Sequence, residues 1–175
     1  MFKLVFICFL ALLSYANEVS LMNGEIKAHT EVFGDSTIDP ITKQIQVSLT
    51  KENAFESLRG SIKIQTLSLK SNNTKRDEHM YEALNAKTYP AIIFTIQTIK
   101  PLQNNSYAIE GVLKLNNVEK QISSIATLKE NKNSFTIKGS FEILLTQFHL
   151  SPPTLLFLSV RDQVDIVYSL DLQEI

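Results

Sequence analysis

The run Phe135–Leu145, FTIKGSFEILL, puts Phe135, Ile137, Gly139, Phe141, Ile143 and Leu145 on one parity and Thr136, Lys138, Ser140 and Glu142 on the other. A period of two held over this length is a strand with one dry face and one wet face. The same alternation recurs upstream in Tyr107, Ile109, Gly111, Leu113 and Leu115, set against Glu110 and Lys114. It recurs downstream in Val164, Ile166, Tyr168, Leu170 and Leu172, set against Asp165 and Asp171, and earlier in Ile45, Val47 and Leu49. Half-wet strands belong to antiparallel sheets, because parallel strands covered on both faces read as unbroken apolar runs.

Eight strands are expected, near residues 25–33, 44–50, 60–69, 91–100, 106–115, 120–129, 134–146 and 163–173. Asn104-Asn105 and Asn131-Lys132-Asn133 supply turn chemistry between hairpin partners, and Asp39-Pro40 marks another turn. In the third strand Ile62 and Ile64 share one parity and Leu67 and Leu69 the other. A bulge near Gln65 and Thr66 would reconcile them. The fold class is therefore all-β, an eight-stranded antiparallel sandwich or barrel with one short helix in a connecting loop.

That helix falls in Thr74–Phe94, TKRDEHMYEALNAKTYPAIIF. Thr74 followed by Asp77 resembles a capping box, Met80 and Leu84 lie one turn apart beside Tyr81, and Pro90 ends the helical stretch. After the proline, Ile92, Phe94 and Ile96 share the parity of a strand.

Met1–Ala16 carries Lys3, an apolar run from Leu4 to Leu13, and Ser14-Tyr15-Ala16 with small residues at the positions a signal peptidase reads. The reading is a signal peptide cleaved after Ala16, leaving residues 17–175 as a single domain; the alternative is a retained N-terminal anchor. The run is too short to span a bilayer, which takes about 20 residues. Cys8, the only cysteine, leaves with the leader, so the mature chain has no disulfide and no thiolate chemistry. Losing Lys3 leaves 16 basic against 18 acidic side chains, without a basic cluster. Phosphate affinity needs grouped Lys and Arg, so no nucleic-acid role is expected.

No GxSxG, HExxH, glycine-rich phosphate loop or cysteine nucleophile is present, and enzymatic activity is not expected. Arg76, Asp77 and His79 are poorly arranged for a metal, because consecutive helical residues point apart. His29 and His149 lie on distant segments. No metal or other cofactor is expected.

The runs Arg76–Met80 (RDEHM), Tyr89–Phe94 (YPAIIF), Gly111-Val112-Leu113 with Leu115 and Val118-Glu119-Lys120, the FxLxPP turn at Phe148–Pro153 and Arg161-Asp162-x-Val164 resemble the pattern of YceI-like proteins. The resemblance extends over roughly residues 24–172. Asn117 departs from it, standing where the family often has glycine. The resemblance implies a lipocalin-like barrel in the bacterial periplasm that binds a polyisoprenoid or similar long apolar lipid, without catalytic residues.

A strand such as Ser134–Leu145 spans roughly 40 Å at about 3.3 Å per residue, and a barrel tilt near 40° still leaves a tall interior. The inward parity is apolar, so a cavity there would suit a hydrocarbon chain. Joined to the resemblance, this assigns ligand contact to Phe94, Ile96, Ile109, Leu113, Phe135, Phe141 and Tyr168. Arg76 and His79 are placed at the barrel mouth, where Arg76 would meet an anionic head group. The competing reading makes Asp77 a cap, Arg76 a local partner and His79 a loop anchor.

Gly111 and Gly139, on the inward parity, either leave room for a ligand or permit a bend. The apolar run Leu155–Leu158 after Ser151-Pro152-Pro153-Thr154 closes one end, borders the entrance or plugs the core. Function is thus expected to be that of a periplasmic lipid carrier, the alternative being a packed barrel that binds a protein partner. Monomer and homodimer are both left open.

Overall fold

The computed structural model describes residues 16–32, 36–155 and 158–175. The leader expected over residues 1–16 lies, Ala16 apart, outside the described residues. The strands are β1 (Asn17–Val32), β2 (Ser36–Ile38), β3 (Ile41–Thr42), β4 (Ile45–Lys51) and β5 (Arg59–Gln65); after the helix α1 (Thr74–Ala83) come β6 (Ala91–Pro101), β7 (Ser106–Leu115), β8 (Val118–Asn131), β9 (Ser134–Leu144), β10 (Thr154–Leu155), β11 (Leu158–Ser159) and β12 (Gln163–Glu174).

The antiparallel order β12-β9-β8-β7-β6-β5-β4-β1 closes on itself through β1 and β12, which pair from Val19↔Glu174 to His29↔Asp165. Eight strands thus form a closed barrel, and closure removes the exposed edges that an open sheet would carry. The two short strands β2 and β3 extend β4 along the far end of β1, while β10 and β11 form a separate small hairpin.

The inward parity is the one the alternation predicts. Ile109, Leu113, Leu115, Phe135, Ile137, Ile143, Val164, Leu170 and Leu172 are all buried. β8 contributes Ile122, Ser124, Ala126 and Leu128 to the same interior. Two-residue hairpins need left-handed backbone at both central positions, which asparagine tolerates. Asn116 and Asn117 take φ 51° and 58° between β7 and β8, so Asn117 supplies the conformation for which glycine would otherwise be used.

Two expectations are corrected. There is no bulge at Gln65 and Thr66: β5 stops at Gln65 and Thr66–Ser68 form a 3₁₀ turn. The turn swings Leu67 outward and Leu69 back into the interior, which reconciles their parity with that of Ile62 and Ile64. A bulge does occur in β6, where the register shifts between Ile96 and Thr98 so that Ile99 faces inward.

The helix cap is also one residue earlier than expected. Asn73, not Thr74, caps α1, its Oδ1 accepting from the Arg76 amide at 3.1 Å. Asp77 instead accepts from the Ser71 amide and hydroxyl at 2.9 and 2.6 Å, fixing the loop that leads into the helix. Asparagine outcompetes threonine here because its carbonyl reaches the free amides of the first turn at equal or lower cost.

Candidate functional site

The two ends of the barrel are built differently. At one end, the floor, the link between β4 and β5 folds inward and buries Phe55 and Leu58. Phe55 meets Tyr107 and Phe135 edge-on, with ring centroids 4.8 and 6.0 Å apart. Such contacts are worth about 0.5–1.5 kcal/mol each beyond the area they bury.

Outside this plug lies a polar cleft where Lys51, although buried, donates to Glu174 at 2.6 Å and to the carbonyls of Glu52 and Asn53 at 3.3 Å. The lysine holds the Glu174 carboxyl below its ordinary range. Lys51 has its donors satisfied, and the cleft is structural.

At the opposite end, half the opening is stoppered. The 3₁₀ turn Leu145–Phe148 drives Phe148, fully buried, and then Leu150 against Leu113, Leu115 and Ile122. Asp162 holds this stopper by accepting from the Thr146 amide at 2.9 Å and the Thr146 hydroxyl at 2.6 Å. Asn116 Nδ2 donates to the Phe148 carbonyl at 2.9 Å while its Oδ1 accepts from Asn85 Nδ2 at 2.9 Å. The β7–β8 turn, the end of α1 and the stopper are thereby one hydrogen-bonded unit.

Between the floor and this stopper runs a cavity of about 120 Å³. Its wall extends from Leu49 and Leu172 near the floor to Ile64, Leu69, Leu115 and Ile143 near the other end. Several inward side chains on it, among them Ile26, Ala28, Ile62, Ile92 and Ile166, are only half-buried. The side of the upper end away from the stopper, between β1, β12 and the Thr66–Ser68 turn, is accordingly the mouth.

Among the described residues only Ser124 and Tyr168 bring polar side-chain atoms to this wall. Ser124 Oγ donates to the Ser140 carbonyl at 2.9 Å and lies 2.9 Å from the Tyr168 hydroxyl, so the tyrosine donates to the serine. Both hydroxyl protons are used within the protein. Burial pushes the Tyr168 hydroxyl pKa upward, keeping it neutral. A single water needs only about 10–15 Å³, yet it also needs several polar partners, and this cavity lacks them. It is a dry, apolar space.

Gly111 and Gly139 explain how the cavity stays open. A Cβ on Gly111 would sit 2.6 Å from Phe94 Cζ, and one on Gly139 would sit 2.6 Å from Tyr168 Cζ. The glycines let two aromatic rings lie flat against the barrel wall. At Gly139 the space is taken by the cross-strand Tyr168 ring, whereas at Gly111 the nearest atom is the Thr95 backbone carbonyl oxygen, so that glycine also admits a close backbone approach beside the bulge in β6.

Of the residues singled out in the sequence, Phe94, Ile96, Ile109, Leu113, Phe141 and Tyr168 line the cavity together. Phe94 packs against both core clusters and stacks on Phe141 with centroids 6.2 Å apart. Phe135 belongs to the floor, against Phe55. Arg76 and His79 are not on the wall: Arg76 Nη1 donates to the Thr37 carbonyl at 2.9 Å, tying α1 to β2, and His79 faces solvent. Sequence reading missed Ser124, Leu69 and the Phe148 stopper. Ser124 breaks an apolar inward parity on β8, the one local signal that could have marked it.

Of the Leu155–Leu158 run, Leu155 pairs with Leu158 between β10 and β11, and residues 156–157 fall outside the described residues. Nearby, His29 Nδ1 lies 2.7 Å from Asp39 Oδ1, a contact that raises the histidine pKa, and Lys27 lies 3.2 Å from the same oxygen. Among the described residues no group of three or more His, Cys, Asp or Glu side chains is placed to hold a metal, and no helix is long and apolar enough to cross a membrane.

A closed eight-stranded antiparallel barrel around a dry cavity with one stoppered end is a lipocalin-like architecture. A family model for the YceI-like domain matches residues 18–172, and the chain belongs to that family.

Among solved structures the fold is similar to BcnA of Burkholderia cenocepacia, with TM-score 0.75, 18% identity, and coverage of 85% of this chain and 95% of that one. It is also similar to a polyisoprenoid-binding domain from Saccharophagus degradans implicated in plant cell wall breakdown, with TM-score 0.69, 11% identity, and coverage of 91% and 99%. A YceI protein of Campylobacter jejuni gives TM-score 0.62 and 19% identity over 79% of this chain and 86% of that one. At these identities the likeness is one of fold. No curated protein matches the chain.

Proposed function

We propose that this protein binds and carries a long apolar lipid of the polyisoprenoid kind, held lengthwise in the barrel, and that it does so in the periplasm after loss of its leader. The observation that carries the reading is the apolar cavity along the barrel interior, in which the polar side chains among the described lining residues are hydroxyls already bonded to the protein. The polyisoprenoid-binding domain of the same fold supports the choice of ligand class. Each buried methylene contributes about 0.8 kcal/mol, so a few isoprene units supply substantial affinity without a head-group contact. Phe94, Ile96, Ile109, Leu113, Phe141 and Tyr168 touch the chain, with its head toward the mouth. Binding rather than catalysis is the role, and no cofactor is invoked.

Organic extraction of purified protein is expected to yield one lipid per barrel, and native mass spectrometry to retain its mass. Leu113→Phe should fill lumen and weaken retention while leaving the melting temperature nearly unchanged. If extraction gives no lipid and Leu113→Phe instead destabilises by about 1–3 kcal/mol as overpacking does, the barrel is a filled one and the protein-partner reading replaces this one.

Export has its own measurement. β1 begins at Asn17, directly after the expected cleavage position, so removal of residues 1–16 takes nothing from the barrel. N-terminal sequencing of protein from a periplasmic fraction is expected to begin at Asn17, and a retained Met1 would mean an anchored protein.

A further inference from the structure

We propose that the barrel loads its lipid by touching a bilayer surface with one part of its mouth, the rim made by Leu67 and by Tyr89-Pro90. The inference rests on the lipid-carrier reading above and adds the partner from which the ligand comes.

Three observations meet at this rim. Leu67 is 55% exposed and Tyr89 38% exposed, although the turn they flank is otherwise packed, with Thr66 fully buried and Leu69 nearly so. They sit side by side along the chain path because the Thr66 amide donates to the Pro90 carbonyl at 2.8 Å and Gln65 pairs with Ala91. Two residues beyond Leu67, Leu69 lines the cavity itself. One short turn therefore runs from an exposed apolar side chain on the outside to the apolar wall of the lumen.

The same turn contains a buried oxygen without a protein partner, Thr66 Oγ1. An unpaired buried hydroxyl is unfavourable, so lifting the turn into a wet interface restores a hydrogen bond as it opens the mouth. The Tyr81 hydroxyl donates to the Leu69 carbonyl at 2.7 Å and lies 3.2 Å from that of Leu67, so α1 sets where the turn presents its exposed leucine.

The occupant follows from size and chemistry. Two side chains and a proline are too few for a stable protein interface, which takes about 20–30 residues a side. They do suit shallow insertion into a lipid interface, where a tyrosine ring has both its apolar body and its hydroxyl satisfied. Lys87, exposed two residues before Tyr89, adds attraction to anionic head groups. An apolar ligand that never has to cross water would pass from acyl chains along Leu67 and Leu69 into the cavity.

The test uses the full mature chain, a fluorescent geranylgeraniol analogue, and vesicles of phosphatidylcholine with phosphatidylglycerol. Wild type is expected to take the probe from vesicles, and Leu67→Ser/Tyr89→Ser to do so about tenfold more slowly. Both proteins should bind probe delivered from ethanol equally well and melt at the same temperature. Equal uptake from vesicles by the two proteins overturns the rim assignment while leaving the carrier reading intact. Probe that fails to bind wild type even from ethanol overturns both. Should the double variant instead abolish a concentration-dependent dimer seen in wild type, the rim is a contact between copies and the proposal fails.

Discussion

Phe94→Asp is expected to empty the barrel. Among the described residues Phe94 alone packs against both core clusters; it stacks on Phe141 and lies against Gly111 on the cavity wall. A carboxylate there has no partner among the lining residues, which offer only the bonded Ser124 and Tyr168 hydroxyls. Burying it uncompensated costs several kcal/mol, comparable to the whole stability of a domain this size. The chain should therefore either unfold in circular dichroism or admit water and lose its lipid. Phe94→Leu, which keeps the wall apolar, should remain folded and retain ligand. Lipid retained by a folded Phe94→Asp protein would remove the cavity from the function.

Gly139→Val should have the second largest effect, and through a different residue. The added side chain overlaps the Tyr168 ring, which has only the lumen to move into. Three losses follow: the Ser124–Tyr168 hydrogen bond, the flat packing of the ring, and part of the cavity. Overpacking costs about 1–3 kcal/mol and the broken bond about 1 kcal/mol. Lipid retention should fall more steeply than stability, because the displaced ring occupies the ligand's place. Adding Tyr168→Ala to Gly139→Val is expected to recover part of the lipid retention, since it removes the displaced ring from the lumen while leaving the close contact with Ala126. Tyr168→Phe alone should cost only the hydrogen bond. A double variant as weakened as the single one would show that Gly139 serves the backbone and not the ring.

The two ends of the barrel account for the division between stability and binding that these variants read. Phe55 and Leu58 close the floor, and Phe148 and Leu150 close half the top, so each end carries its own buried plug. Between them the wall mixes buried side chains such as Ile96, Ile109 and Ile137 with half-buried ones such as Ile62, Phe94 and Phe141, and loss of volume at the half-buried positions is felt by a ligand before it is felt by the fold.

Periodicity was enough to determine much of this molecule. The inward and outward faces of β4, β7, β9 and β12, the helix before Tyr89-Pro90, the asparagine turns and six of the seven apolar or aromatic wall residues follow from local alternation, because a strand's side chains switch faces at every residue wherever it sits. Position along the barrel does not follow from parity. Phe135 shares the parity of Phe141 yet lies in the floor, because the link after β4 returns Phe55 against it.

The hidden remainder consists of pairings between distant residues. Tyr168 lies over Gly139, Asn116 holds Phe148, and Ser124 meets Tyr168. The 3₁₀ turn at Thr66–Ser68 was likewise settled by packing, since local propensities for a bulge or a turn differ by less than the tertiary contacts that choose between them. Sequence alone set which face an unbroken strand turns inward, since that depends on neighbours two residues apart. Only the closed barrel decided which end is open and which rings leave room inside, because those depend on residues brought together from opposite parts of the chain.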